Sequence, residues 1–321
     1  MSPVVFHPGL RPNDPTKQRM FLRDFLTGAA ITPPPAANWD RAVKTWGMMG
    51  NDSAGDCFWA DCGHSIVVWT ANNGTEVDPS TVDILRAYSE ATGYNANDPS
   101  TDQGTVMQDG LSYWRKTGIP VGGTRHKIVA FAQVDHTNAA ELEAAVALFG
   151  AVHMGINFPG SAMDQFNNGQ PWDVVPGAKI EGGHAIVCAR YDSTAHTPWT
   201  IITWGQEQPV TAAFMAKYLE EAWVTISQEW LAANGNAPSG LNLAALGAEF
   251  SAITGEPNPF PNPTPTPTPP GPPPFPGALV AAVQSAADDP KLAPLLAGRY
   301  TVSGEKAATA HLQAILAAPR R

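Results

Sequence analysis

The run Asn51-Asp52-Ser53-Ala54-Gly55-Asp56-Cys57-Phe58-Trp59-Ala60 decides how this chain is read. A side-chain amide stands six positions before a cysteine, with a turn of small residues between them. Asp56 then opens a helix-compatible stretch over 57–71. A cysteine at a helix start feels the partial positive charge of the unpaired N–H groups, which favours thiolate over thiol. An amide beside it can donate to a developing oxyanion. The stretch is apolar on several sides, which predicts a central, buried helix.

A base for such a thiol is found far downstream. Gly182-Gly183-His184 leads into Ala185-Ile186-Val187, an apolar strand that would fix the imidazole, and the glycines permit close backbone approach. Thr203-Trp204-Gly205 follows. Cys62, deeper in the same helix, and Cys188, in mid-strand, read as packing residues. His64, His126, His136, His153 and His196 lack a setting like that of His184 and read as surface or core residues.

The rest of the pattern is mixed. Helices are expected over 81–90, 106–117 and 138–149; Asn138 caps the last of these and Gly150 closes it. Strands are expected over 152–156, 184–191, 199–204 and 222–227. Helices come first and strands second, which predicts an α+β fold with an antiparallel sheet. Residues 19–26 read as one further helix.

Composition excludes several classes. The chain has 321 residues, 43% of them hydrophobic, enough for a full core. The formal charge is −10 with 19 Lys+Arg, and no basic stripe exists, so no nucleic-acid partner is expected. No apolar run is long enough for a membrane span and no secretory signal is visible. Three cysteines make no disulfide framework, and Cys57, Cys62 and His64 fit no zinc spacing, so neither metal nor cofactor is expected. These features predict a cytoplasmic or virion-associated location. The Ala-, Pro- and Trp-rich, Lys-poor style fits a bacterial or phage source.

Residues 256–276 read EPNPFPNPTPTPTPPGPPPFP, a polyproline II tether reaching roughly 60 Å at ~3 Å per residue. The expected organisation is an N-terminal extension over 1–36, a main domain over 37–255, this Pro/Thr-rich linker, and a small helical segment over 277–321 suited to docking or self-association. The extension reads as an interdomain strap or a tail rather than a plug.

In chain order these stretches resemble the papain-like cysteine peptidases. Asn38-Trp39-Asp40 is similar to the opening of a mature papain-type domain, and 51–60 to the family's glutamine-to-cysteine segment at the same spacing. Gln108-Asp109-Gly110-Leu111, with Tyr113-Trp114 and Gly118-Ile119, is similar to the helix after the family's glycine-rich substrate loop, where Gly104 would fall. Residues 140–156 resemble the family's helix and the strand that follows. Phe166, Asn167 and Gly169 are similar to the segment before the histidine. Residues 183–187 with Tyr191-Asp192 resemble its histidine strand, and 203–205 its asparagine–serine–tryptophan–glycine.

The resemblance implies a two-lobed fold with an extended peptide or protein substrate in the cleft. Cys57 would be the nucleophile and His184 the base. Asn51 and the Cys57 N–H would form the oxyanion hole, with Trp204 shielding His184 and Gly104 and Gly183 lining the cleft. Two positions depart from the pattern. Asn51 is one methylene shorter than the family's glutamine. Ile202 stands where the family has the asparagine that orients the histidine; adjacent Thr203, a backbone carbonyl or, more weakly, Gln206 would have to substitute. The function expected is hydrolysis of peptide or isopeptide bonds. Two alternatives are a cell-wall peptide or amide hydrolase and a non-catalytic structural or virion-associated protein that keeps the fold.

Overall fold

The computed structural model describes residues 3–26, 32–227 and 242–260. Most of the proline-rich tether and all of the expected C-terminal helical segment lie outside these residues.

The helix after Asp56, α1 (Cys57–Asn72), is buried at every position from Cys57 to Thr70. Its apolar residues surround it, so it has no solvent face to offer, and the fold is built around it. Gly63 allows the close approach of Met49; a Cβ there would overlap the methionine sulfur. Two more helices pack beside it. In α2 (Thr81–Thr92), Ser80 and Asp83 exchange hydrogen bonds as a capping box, and Gly93 in the left-handed region ends the helix. The other is α3 (Met107–Lys116). Gly110 of α3 lies flat on the Phe58 ring, where a Cβ would collide with the ring carbons.

The opposite wall is an antiparallel sheet. Its strands are β6 (Ile128–Val134), β7 (Val152–Pro159), β8 (Ile180–Asp192), β9 (Trp199–Thr203), β10 (Gln206–Val210) and β11 (Leu219–Ser227). Their order is β10-β9-β8-β7-β11-β6. Short strands attach at the margins: β1 (Leu10–Arg11) and β2 (Ala36–Asn38) on β8, and β3 (Thr105–Val106) on β1. A separate hairpin joins β4 (Ile119–Val121) to β5 (Thr124–His126).

Side chains alternate across β8, so Ala185, Val187 and Ala189 enter the core shared with α1–α3, while Ile186 and Cys188 enter a second core. That second core is covered by α4 (Ala139–Phe149), α5 (Gly160–Asn167), α6 (Ala212–Tyr218) and α7 (Leu243–Thr254). The α+β expectation and the main helices and strands hold. Asn138 caps α4, accepting from the Glu141 N–H, and Gly150 closes the helix at φ 73°. Residues 19–26 do not form the expected helix; only a 3-10 turn, Leu22–Asp24, is present. Met20, Leu22 and Phe25 are drawn instead into the second core, and Gln133 N–H of β6 donates to the Met20 carbonyl.

Among the described residues, no helix is long and apolar enough to cross a membrane.

Candidate active site

Two crossing elements bring the site together. α1 presents Cys57 at its first position, and β8 presents His184 near its start. The backbone N–H of Ala185, the residue after His184, donates to the Cys57 Sγ at 3.3 Å. The sulfur is therefore held at the edge of the strand that carries the imidazole, although 127 residues separate the two in sequence.

The imidazole is fixed on two sides. Its Nε2 is 2.8 Å from the Thr203 Oγ1. Its face lies on the Trp204 indole, with ring centroids 4.6 Å apart and planes 15° from parallel. Nδ1 has no hydrogen-bond partner among the described residues.

Thr203 occupies this place because of a tight hairpin. Thr203 pairs with Gln206, so only Trp204 and Gly205 form the turn, at φ 46° and 69°. This is the two-residue turn whose central residues both have positive φ. Such a backbone is unfavourable for tryptophan. Packing of its indole on His184, Phe158 and Phe166 offsets that cost. With the turn set there, Ile202 points into the α1 core and Thr203 to the imidazole.

Asn51 and Asp56 lie in the loop before α1, and both are buried. Asn51 Nδ2 donates to Asp56 Oδ1 at 3.2 Å. A second carboxylate braces the same loop: Gly55 N–H donates to both oxygens of Asp102, at 3.1 and 3.0 Å. The Tyr88 hydroxyl donates to Asp102 at 2.6 Å and accepts from the Gly104 N–H at 2.8 Å. The cysteine loop and the Gly104 edge are thus one hydrogen-bonded unit.

The groove between Gly55, Gly104 and Gly183 is filled by the chain's own N-terminal residues. The Gly9 N–H donates to the Gly183 carbonyl at 3.3 Å, and the Thr105 N–H donates to the Gly9 carbonyl at 2.8 Å. Leu10 pairs parallel with Thr105 and antiparallel with Gly183. The fit is between backbones: a Cβ on Gly9 would overlap the Gly55 carbonyl, one on Gly104 the Gly9 carbonyl, and one on Gly183 the Leu10 carbonyl. Phe6 stacks on Phe158 at 4.3 Å and meets the His184 ring edge-on at 5.6 Å. A segment expected as a strap or a tail therefore lies across the site.

Coverage sets the charge state. Burial pushes the Cys57 thiol up to about 12; the Ala185 N–H opposes this, and the charges of Asp56 and Asp61 add to it. Burial pushes the His184 imidazole down to about 3. With the N-terminal segment in place, thiol and imidazole are both neutral at neutral pH.

One buried pair escaped the sequence reading. His153 Nδ1 is 2.8 Å from Asp61 Oδ1, and His153 Nε2 is 3.1 Å from Thr225 Oγ1, all buried between α1, β7 and β11. Asp61 stands one helical turn beyond Cys57. No local pattern reveals this pair, because its members are 92 residues apart.

No protein-family model matches the sequence. No curated protein sequence is recognisably similar to it. Solved structures are similar. Xylellain, a cysteine protease from Xylella fastidiosa, superposes with a TM-score of 0.51 at 17% identity, over 70% of this chain and 99% of that one. Procathepsin B S9 from Trypanosoma congolense superposes with a TM-score of 0.52 at 10% identity, over 70% of this chain and 87% of that one. The fold is that of the papain-like cysteine proteases.

Proposed function

We propose that the protein is a thiol-dependent peptidase in which Cys57 is the nucleophile and His184 the base. The observation that carries this reading is the Ala185 N–H on the Cys57 sulfur, which ties the histidine strand to the start of the thiol helix. In the open groove, Cys57 loses its proton to His184 and attacks the carbonyl carbon of a peptide or isopeptide bond. The carbonyl oxygen becomes an oxyanion, stabilised by the Cys57 N–H and the Asn51 amide. His184 returns the proton to the leaving amine, leaving a thioester. Water, deprotonated by the same imidazole, hydrolyses the thioester and restores the thiol. Thr203 holds Nε2 and so leaves Nδ1 for the sulfur. Trp204 shields the ring. Thr105 and Gly183 offer backbone groups to an extended chain, the use that Gly9 and Leu10 make of this groove now, and Gly104, lacking a Cβ, leaves room for that chain.

Hydrolysis of a peptide library tests the assignment. Cys57→Ser and His184→Ala are each expected to abolish cleavage, while Cys62→Ser leaves it intact. Cleavage undiminished in Cys57→Ser contradicts the reading.

The non-catalytic reading draws on a different observation, the neutral, covered state of both groups. It predicts that Cys57 stays inert when the groove is opened.

A further inference from the structure

Asp56 is an N-cap residue that caps nothing. Aspartate at this position ordinarily accepts from a first-turn N–H. Here the carboxyl makes no such bond. It turns back along the loop instead, and its Oδ1 accepts from Asn51 Nδ2. Oδ2 is buried with no hydrogen-bond partner among the described residues. The charges of Asp102 and Asp52, both of its own sign, disfavour ionisation of the carboxyl. Gly50 lies beside Oδ2: a Cβ there would be 3.0 Å from that oxygen and 2.9 Å from Leu85.

A buried carboxyl with an orphaned oxygen and, among the described residues, no cation in a salt bridge with it serves stability poorly, since desolvation costs more than one neutral hydrogen bond returns. Its one productive contact is the Asn51 amide. A primary amide carries two hydrogens, and Asp56 takes one of them. The loop fixes the backbone end of Asn51 in a similar way: its N–H donates to the Met48 carbonyl at 3.2 Å, and the N–H groups of Ser53 and Ala54 donate to the Gly50 carbonyl at 3.0 and 3.1 Å. Asn51 is thus held at both ends, by turns at its backbone and by Asp56 at its tip.

We propose that Asp56 is a positioning residue for the peptidase reaction, its carboxyl holding the Asn51 amide so that the second amide hydrogen serves the oxyanion formed when Cys57 attacks. The proposal rests on the peptidase reading above. Burial holds Asp56 well above the usual carboxylate range, with the Asn51 hydrogen bond opposing the shift and the neighbouring carboxylates adding to it. A side chain with the short reach of asparagine is aimed in this way by its own loop.

The test compares Asp56→Leu, Asp56→Asn, Asn51→Ala and the Asp56→Leu/Asn51→Ala double variant in the full chain. Asp56→Leu removes the acceptor and also the orphaned oxygen, so its melting temperature is expected to equal or exceed that of the parent. Its kcat is expected to fall on the order of 100-fold with KM little changed, as for loss of one oxyanion donor. Asp56→Asn offers a carbonyl oxygen in the same place and is expected to rescue most of kcat. In the Asn51→Ala background, Asp56→Leu is expected to cost nothing further. Alkylation of Cys57 by iodoacetamide, which forms no oxyanion, is expected to be equal in all four variants.

Parental kcat in Asp56→Leu overturns the proposal. So does a kcat loss that persists in the Asn51→Ala background or appears equally in alkylation. If Cys57→Ser still cleaves the peptide, the peptidase reading itself has failed; if Cys57→Ser is dead while Asp56→Leu is fully active, only this inference has.

Discussion

His184 Nε2 meets the Thr203 hydroxyl, and a hydroxyl holds an imidazole less firmly than a side-chain carbonyl does. Thr203→Val keeps shape and removes the partner. It is expected to lower kcat about 10- to 100-fold with little effect on KM, measured by steady-state peptide hydrolysis. Thr203→Asn is expected to recover part of the loss. At this scale, the settings of Cys57 and His184 were legible in the sequence because they are local: a thiol after Asp56 at a helix start, an imidazole entering an apolar strand. The partner of His184 was less so. Position 202 was the expected slot and Thr203 a substitute, and the choice depended on where the hairpin turned. Only Gly205 marked that turn; the left-handed Trp204 gave no signal, because tryptophan rarely adopts such a backbone. Asp56 was hidden for the opposite reason, since an aspartate before a helix already has an ordinary explanation as its cap.

Helix α1 is the element on which the site depends, and the buried Asp61–His153 pair joins it to β7. Breaking a buried pair by removing one member strands the other. His153→Leu is therefore expected to cost about 3–5 kcal/mol in urea unfolding, against a much smaller cost for the double change Asp61→Leu/His153→Leu. A second buried carboxylate gives a pH signature. Asp40, in the turn after β2, is raised from 3.8 to about 6 by burial, with Arg190 at 3.3 Å pulling it back. The folded chain then holds a proton that the unfolded chain releases. Asp40's contribution to stability is full below about pH 4 and is lost as pH rises through about 6. Asp40→Asn is expected to flatten the fall in unfolding free energy across that window, seen in urea titrations at pH 4, 5, 6 and 7. Elements with strong local signals, such as α4 between Asn138 and Gly150, were legible in the sequence. Strand β6 was not. Its buried residues Ile128, Ala130, Ala132 and Val134 alternate, but Val129 and Phe131 between them are also apolar, so the period of two is masked.

On the scale of the whole molecule, the central feature is a groove occupied by the chain that forms it. The pairing of Gly9 and Leu10 with Thr105 and Gly183 joins segments far apart in sequence, and nothing local in Phe6-His7-Pro8-Gly9-Leu10 announces it. Its one structural mark is the glycine: a Cβ at position 9 has no room against the Gly55 carbonyl. Gly9→Val in the full chain is thus a wedge that dislodges the segment while leaving both walls unaltered. Opening the groove hydrates Cys57 and His184, so the thiol's ionisation is expected to move down and the imidazole's up toward their ordinary values. The most direct measurement is the rate at which a thiol alkylating agent labels each cysteine of Gly9→Val between pH 5 and 9, resolved by mass spectrometry. The account predicts that Cys57 reacts well ahead of Cys62 and Cys188 at neutral pH, that it is slower in the parent chain, and that His184→Ala abolishes the advantage. Labelling of Cys57 no faster than that of Cys62 and Cys188 in Gly9→Val contradicts it.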